Sequence, residues 1–153
     1  MRRLNTIALV RKAVRRHADC IASEYLIDGC LLQEHIERAT RRSLDLVSSI
    51  GWTVADYQRQ YSQRLLLLSE PELPSGRQEI LVCPECADVG CGCVSAEVRI
   101  TDGQVTWNSL GSENNYDPDS LTLFAMGAFV FRLDEYQALL RGYAEAEPGA
   151  ARA

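Results

Sequence analysis

The stretch from Val94 to Leu110 leaves this chain little structural freedom. It pivots on Asp102-Gly103, a pair suited to a two-residue turn because both positions accept positive φ. Counting outward places Ile100 opposite Val105 and Val98 opposite Trp107, with Arg99 opposite Thr106 and Glu97 opposite Asn108. Every apolar pair falls on one face and every polar pair on the other. A slip of one residue would exchange the faces, so the register is pinned. A hairpin with one apolar face must then be covered by other elements.

The remaining sequence offers those elements. Leu4, Thr6, Ala8 and Val10 alternate as in a strand, while Leu4, Ile7, Ala8 and Val14 sit near helical spacing. The strand-like segment Cys20 to Ile27, closed by the turn pair Asp28-Gly29, favours the strand for both. Leu32, Ile36, Ala39, Ser43, Val47 and Ile50 recur at steps of three or four and predict an amphipathic helix, with a break near Ser43 and an end at Gly51. Thr53 and Asp56 have capping-box spacing before a helix that puts Val54, Tyr57, Tyr61 and Leu65 on one side. Pro71, Pro74 and Gly76 make Ser69 to Gly76 a loop. Ile80 to Val82 reads as a buried strand, Ser112 to Ser120 as a polar loop, and Ala128 to Arg132 as a last strand. Asp134 and Gln137 suit the start of a final helix that buries Tyr136, Leu139, Leu140 and Tyr143. The sum is an α+β fold, a mainly antiparallel sheet with helices packed on one face. It is expected to be a single domain over residues 1–144, followed by a flexible tail, 145–153.

A chain of 153 residues with 46% hydrophobic residues can bury an adequate core without covalent staples. Its net charge of −5 opposes a protein-wide attraction to nucleic acid. The basic start (Arg2, Arg3, Arg11, Lys12, Arg15, Arg16) carries the charge of a transit peptide but lacks interleaved aromatic residues for stacking on bases. No apolar run approaches the roughly 20 residues of a membrane span, and no secretory signal pattern is present. The expectation is a cytoplasmic protein, with neither nucleic acid nor membrane as partner, whose thiols stay reduced.

Four of its cysteines are concentrated in Cys83-Pro84-Glu85-Cys86 and Cys91-Gly92-Cys93. In C-x2-C the backbone reverses and aims two sulfurs at one point. In C-x-C an extended chain projects alternate residues to one side. With Val94, Ala96 and Val98 facing the core, Cys91, Cys93 and Ser95 are expected on the polar face. Cys83, Cys86, Cys91 and Cys93 would then supply the four sulfurs of a tetrahedral zinc site. Unligated reduced thiols, a redox pair of Cys83 and Cys86, an iron–sulfur cluster and disulfides remain alternatives. His17 and His35 are candidate additional ligands, and Glu113, Asp117 and Asp119 a candidate cation or partner site, though a solvated loop explains the acids as well. Cys20 and Cys30 read as structural.

Residues Cys83 to Gly92, followed by a DG turn and Val105-x-Trp107, resemble a family of small uncharacterised bacterial proteins with C-P-x-C-G-D-x-G-C-G ahead of a V-x-W hairpin. The resemblance covers about residues 76–110. Ala87 stands where the family has glycine, and Cys93 where alanine is expected. It implies that three cysteines are shared, so that a water or a distant residue would complete a metal site.

The functional expectation is a small non-enzymatic binding or adaptor protein with a structural zinc-type cysteine cluster. Its acidity suits a basic protein partner, as in toxin neutralisation. The rival expectation is a thiol–disulfide oxidoreductase using Cys83 and Cys86.

Overall fold

A computed structural model describes residues 3–14 and 17–145. Arg2, Arg15 and Arg16 of the basic start, and all of the expected tail except Glu145, lie outside the described residues. Strands β1 (Ile7–Val14) and β2 (His17–Ile27) pair antiparallel. After the Asp28-Gly29 turn, β3 (Cys30–Leu31) returns along β2 to complete a three-stranded sheet. Helix α1 (Leu32–Thr40) follows directly, and α2 (Ala55–Leu65) comes after an irregular segment.

The second sheet is built on the hairpin of β5 (Cys93–Thr101) and β6 (Gln104–Glu113). All four cross-strand pairs read from the Asp102-Gly103 turn are present in its register. β4 (Gln78–Leu81) adds to β5. The far side of β6 is divided: β7 (Thr122–Leu123) takes Gly111 and Ser112, and β8 (Phe129–Arg132) takes Gln104 to Trp107. Helix α3 (Leu133–Ala144) packs with α2 and against β6 and β8. One core cluster draws on both sheets and all three helices, which makes this a single α+β domain.

Trp107 occupies the centre of that core, fully buried. Its ring meets Tyr25, Phe131 and Tyr136 edge-on, at centroid distances of 5.3, 5.1 and 6.1 Å. Each buried polar tip has a partner. The Trp107 indole donates to Tyr136 Oη at 3.2 Å, and Tyr136 donates to the Leu65 carbonyl at 2.8 Å. Tyr61 donates to the Ile80 carbonyl at 2.6 Å, so at their 2.5 Å contact Tyr25 is the donor to Tyr61. An aromatic core of this kind keeps its hydrogen bonds while losing water.

Three local expectations are corrected. The helix predicted as far as Ile50 stops at Thr40, because Arg41 turns left-handed (φ 59°) and Glu37 accepts the Leu44 N–H at 2.6 Å. Beyond it the chain is held by other partners: Val47 bridges Val82, and buried Glu24 takes the Ser48 N–H at 2.8 Å. Gly51 therefore ends no helix. A Cβ there would lie 2.8 Å from Ser23 Oγ, so glycine lets this segment pass close over β2. The capping boxes do not form either. Thr53 Oγ1 donates to the Ser49 carbonyl, Val54 is exposed, and Asp134 pairs with Arg132 instead of capping α3.

Truncating Trp107 removes the hub of this cluster, and Trp107→Ala should cost about 3–5 kcal/mol in urea unfolding; a loss below about 1 kcal/mol would contradict its central place. A second expectation concerns pH. Burial drives Glu24 up to about 7, against hydrogen bonds from Ser48 and Gln33, and Glu79 up to about 6 despite Arg64. Both folded values exceed the unfolded one of 4.5, so the folded state binds more protons in that window. Stability is thus highest on the acid side and falls as pH rises from 5 to 8, by roughly 3 kcal/mol for Glu24. Glu24→Gln should flatten most of that slope; a wild-type profile level across this range would refute it.

Candidate metal centre

The cysteine segment begins one residue after the Val47–Val82 bridge, so its start is tied to the irregular segment after α1. At Cys83 the backbone reverses, and the Ala87 N–H returns to the Cys83 carbonyl at 2.9 Å. Closing the turn puts Ala87 at φ 58°, the left-handed region in which glycine is the usual residue. Tyr57 on α2 fixes this residue by donating to its carbonyl at 2.6 Å. A second tight turn follows: Asp88 Oδ1 accepts the Gly90 N–H at 2.8 Å, and Val89–Cys91 form a single 3-10 turn.

These two turns bring the sulfurs of Cys83, Cys86 and Cys91 within 4.8 Å of one another. The Cys86 and Cys91 sulfurs are 3.3 Å apart. Thiolates on a tetrahedral ion with bonds near 2.3 Å would lie roughly 3.8 Å apart, between these limits. The spacing and donor type of the three cysteines therefore fit a metal ion.

The local electrostatics also suit thiolates. Partial burial opposes ionisation of Cys83, but the N–H groups of Glu85 and Cys86 and the neighbouring thiols outweigh it and lower its pKa. Cys91 moves the other way, up to about 11, first because of its contact with Cys86 and then because of that neighbour's charge. Without a cation, one thiol ionises readily and hinders the next. A bound cation would relieve that repulsion.

Cys93 is not brought to this point. The C-x-C expectation assumed an extended chain, whereas Cys91 lies in the 3-10 turn and Gly92 has φ 97° before β5 begins. Cys91 is exposed, while Cys93 is buried against Leu73 and Val89, and burial pushes its thiol up to about 12. The expected polar face of β5 is itself covered here. Arg77 donates to Ser95 Oγ at 2.9 Å and to Glu113 at 3.1 Å, beneath the 69–76 loop, and it also reaches the Ser95 and Ser109 carbonyls. Arg77 stands just before β4 and Glu113 at the end of β6, the two strands that flank β5, so this buried pair depends on a strand order that the sequence did not give.

The other candidates separate. His17 is not among the converging groups but lies near the C-x2-C turn, with Nε2 at 3.8 Å from Glu85 Oε1. His35 Nε2–H donates to the Ile27 carbonyl at 2.8 Å, and its ring meets Phe129 edge-on. Glu113 belongs to the Arg77 pair, while Asp117 accepts the Asp119 N–H, so the three acids do not act as one group. Cys20 packs against Val14, Ala22 and Val47, as a structural residue would.

Fold and site together define an α+β domain carrying an exposed three-thiol centre on a double turn. No family model matches the chain, and neither a curated protein nor a solved structure matches it. No helix among the described residues is long and apolar enough to cross a membrane.

Mass-spectrometric mapping of alkylation checks the division among the cysteines. In chelator-treated protein at neutral pH, Cys83 should react first and Cys93 only after denaturation. Labelling of Cys93 at the rate of the other three would show that its burial is misassigned.

Proposed function

We propose that this protein is a non-enzymatic binding domain whose surface loop is organised by zinc on Cys83, Cys86 and Cys91. The observation that carries the reading is the convergence of three sulfurs from two turns, with N–H groups directed at Cys83. Zinc suits a thiolate-rich set in tetrahedral geometry, and it would supply folding free energy to the loop that carries the three thiols. The cofactor is thus structural. The partner class follows from charge: at −5 the domain attracts a basic protein, the relation expected of a small neutralising or adaptor module in the cytoplasm.

A second reading rests on the 3.3 Å contact between Cys86 and Cys91. These two thiols stand in position for a disulfide, with Cys83, the partner expected from the sequence, within 4.8 Å of both. As an oxidoreductase pair they would be oxidised to that disulfide while a substrate disulfide is reduced to two thiols.

Elemental analysis of protein purified without chelator separates the readings. Near one zinc per chain is expected, with loss of the metal and of several degrees in Tm on thiol modification. Metal-free protein that reduces a model disulfide, and stops doing so on Cys86→Ser, would favour the redox pair.

A further inference from the structure

Three sulfurs leave a tetrahedral ion one donor short. We infer that His17 supplies the fourth ligand, so that the ion joins the first hairpin to the cysteine turns; this deepens the zinc reading and rests on it.

The fold already holds His17 near the site. It opens β2 opposite Val14. Val14 packs with Val47, Val47 bridges Val82, and Val82 precedes Cys83. Across that contact His17 Nε2 lies 3.8 Å from Glu85, the residue directly before Cys86 within C-x2-C. His17 is about one-third exposed and Glu85 far more open, with side-chain values of 33% and 73%. His35 cannot serve, since its Nε2 is engaged at Ile27 on another part of the core.

The chemistry favours imidazole over the nearby carboxylate. Zinc with three thiolates commonly takes a nitrogen donor as its fourth ligand. Histidine ligands also tend to place their second ring nitrogen on a carboxylate, which fixes the tautomer and raises donor strength. Glu85 is 3.8 Å from Nε2, beyond hydrogen-bond length, and closing that gap would put Nε2–H on Glu85 and leave the Nδ1 lone pair for the metal. His17 stands outside the 4.8 Å sulfur cluster, so loading draws the hairpin end inward.

Cobalt(II) titration of the full chain tests the assignment. The wild type should show thiolate charge-transfer bands, tetrahedral d–d bands, and one far-shifted exchangeable imidazole N–H in the proton NMR spectrum. His17→Gln should lose that resonance and bind roughly 10–100-fold more weakly. His17→Cys should recover affinity and strengthen the charge-transfer band, and it carries the test if the glutamine variant does not fold. Unchanged bands and affinity in His17→Gln, or a loss seen only in Glu85→Gln, would overturn the role of His17 and leave the three-thiolate site standing. A wild type that takes up no cobalt, indistinguishable from Cys83→Ser, would overturn both.

Discussion

The structure depends on how Trp107 is enclosed. It is the largest fully buried side chain, and its neighbours come from the first sheet, β8 and α3. Burying so large an apolar surface is worth several kcal/mol, but only if the polar atoms among these rings are satisfied. They are satisfied through one another and through backbone carbonyls of α2 and β4. The two sheets, also linked where Asn5 ahead of β1 exchanges hydrogen bonds with Val130 of β8, are thereby committed to one relative position. That position also holds His17 of β2 within 3.8 Å of Glu85 in the cysteine turn.

Much of the second half was legible in the sequence, and for a definite reason. The Asp102-Gly103 turn and the alternation around it are local, so the register needed no knowledge of the rest of the chain. The segment from Thr40 to Val54 was illegible for the opposite reason. Its three-to-four periodicity is real, but Glu24, Val82 and Ser23, all distant in sequence, claim its backbone and side chains. Tertiary partners outcompeted helical hydrogen bonds there. The failed capping boxes have a local origin, since Thr53 donates to the Ser49 carbonyl and Asp134 pairs with Arg132.

At the site, spacing revealed Cys83 and Cys86 together, and the turn between them explains why. It also brought in Cys91, but by an argument that included Cys93 equally. The separation of those two depends on Gly92 at φ 97°, which cannot be read from a glycine in sequence alone, because glycine permits that value without requiring it. Ala87 illustrates the converse. It lacks glycine's freedom, yet the turn closes with this residue left-handed, supported by Tyr57. The surrounding contacts, more than the residue type, decide the backbone there.

That hydroxyl has a mechanical corollary. Tyr57 and Tyr61 stand one helical turn apart on α2, one gripping the cysteine turn and the other reaching the fully buried strand β4. The helix is therefore a rigid strut between a surface loop and the interior. A shift of the loop would pull on the same helix that anchors β4. An ion held by the three thiols would thus act on a loop that shares this helix with the core.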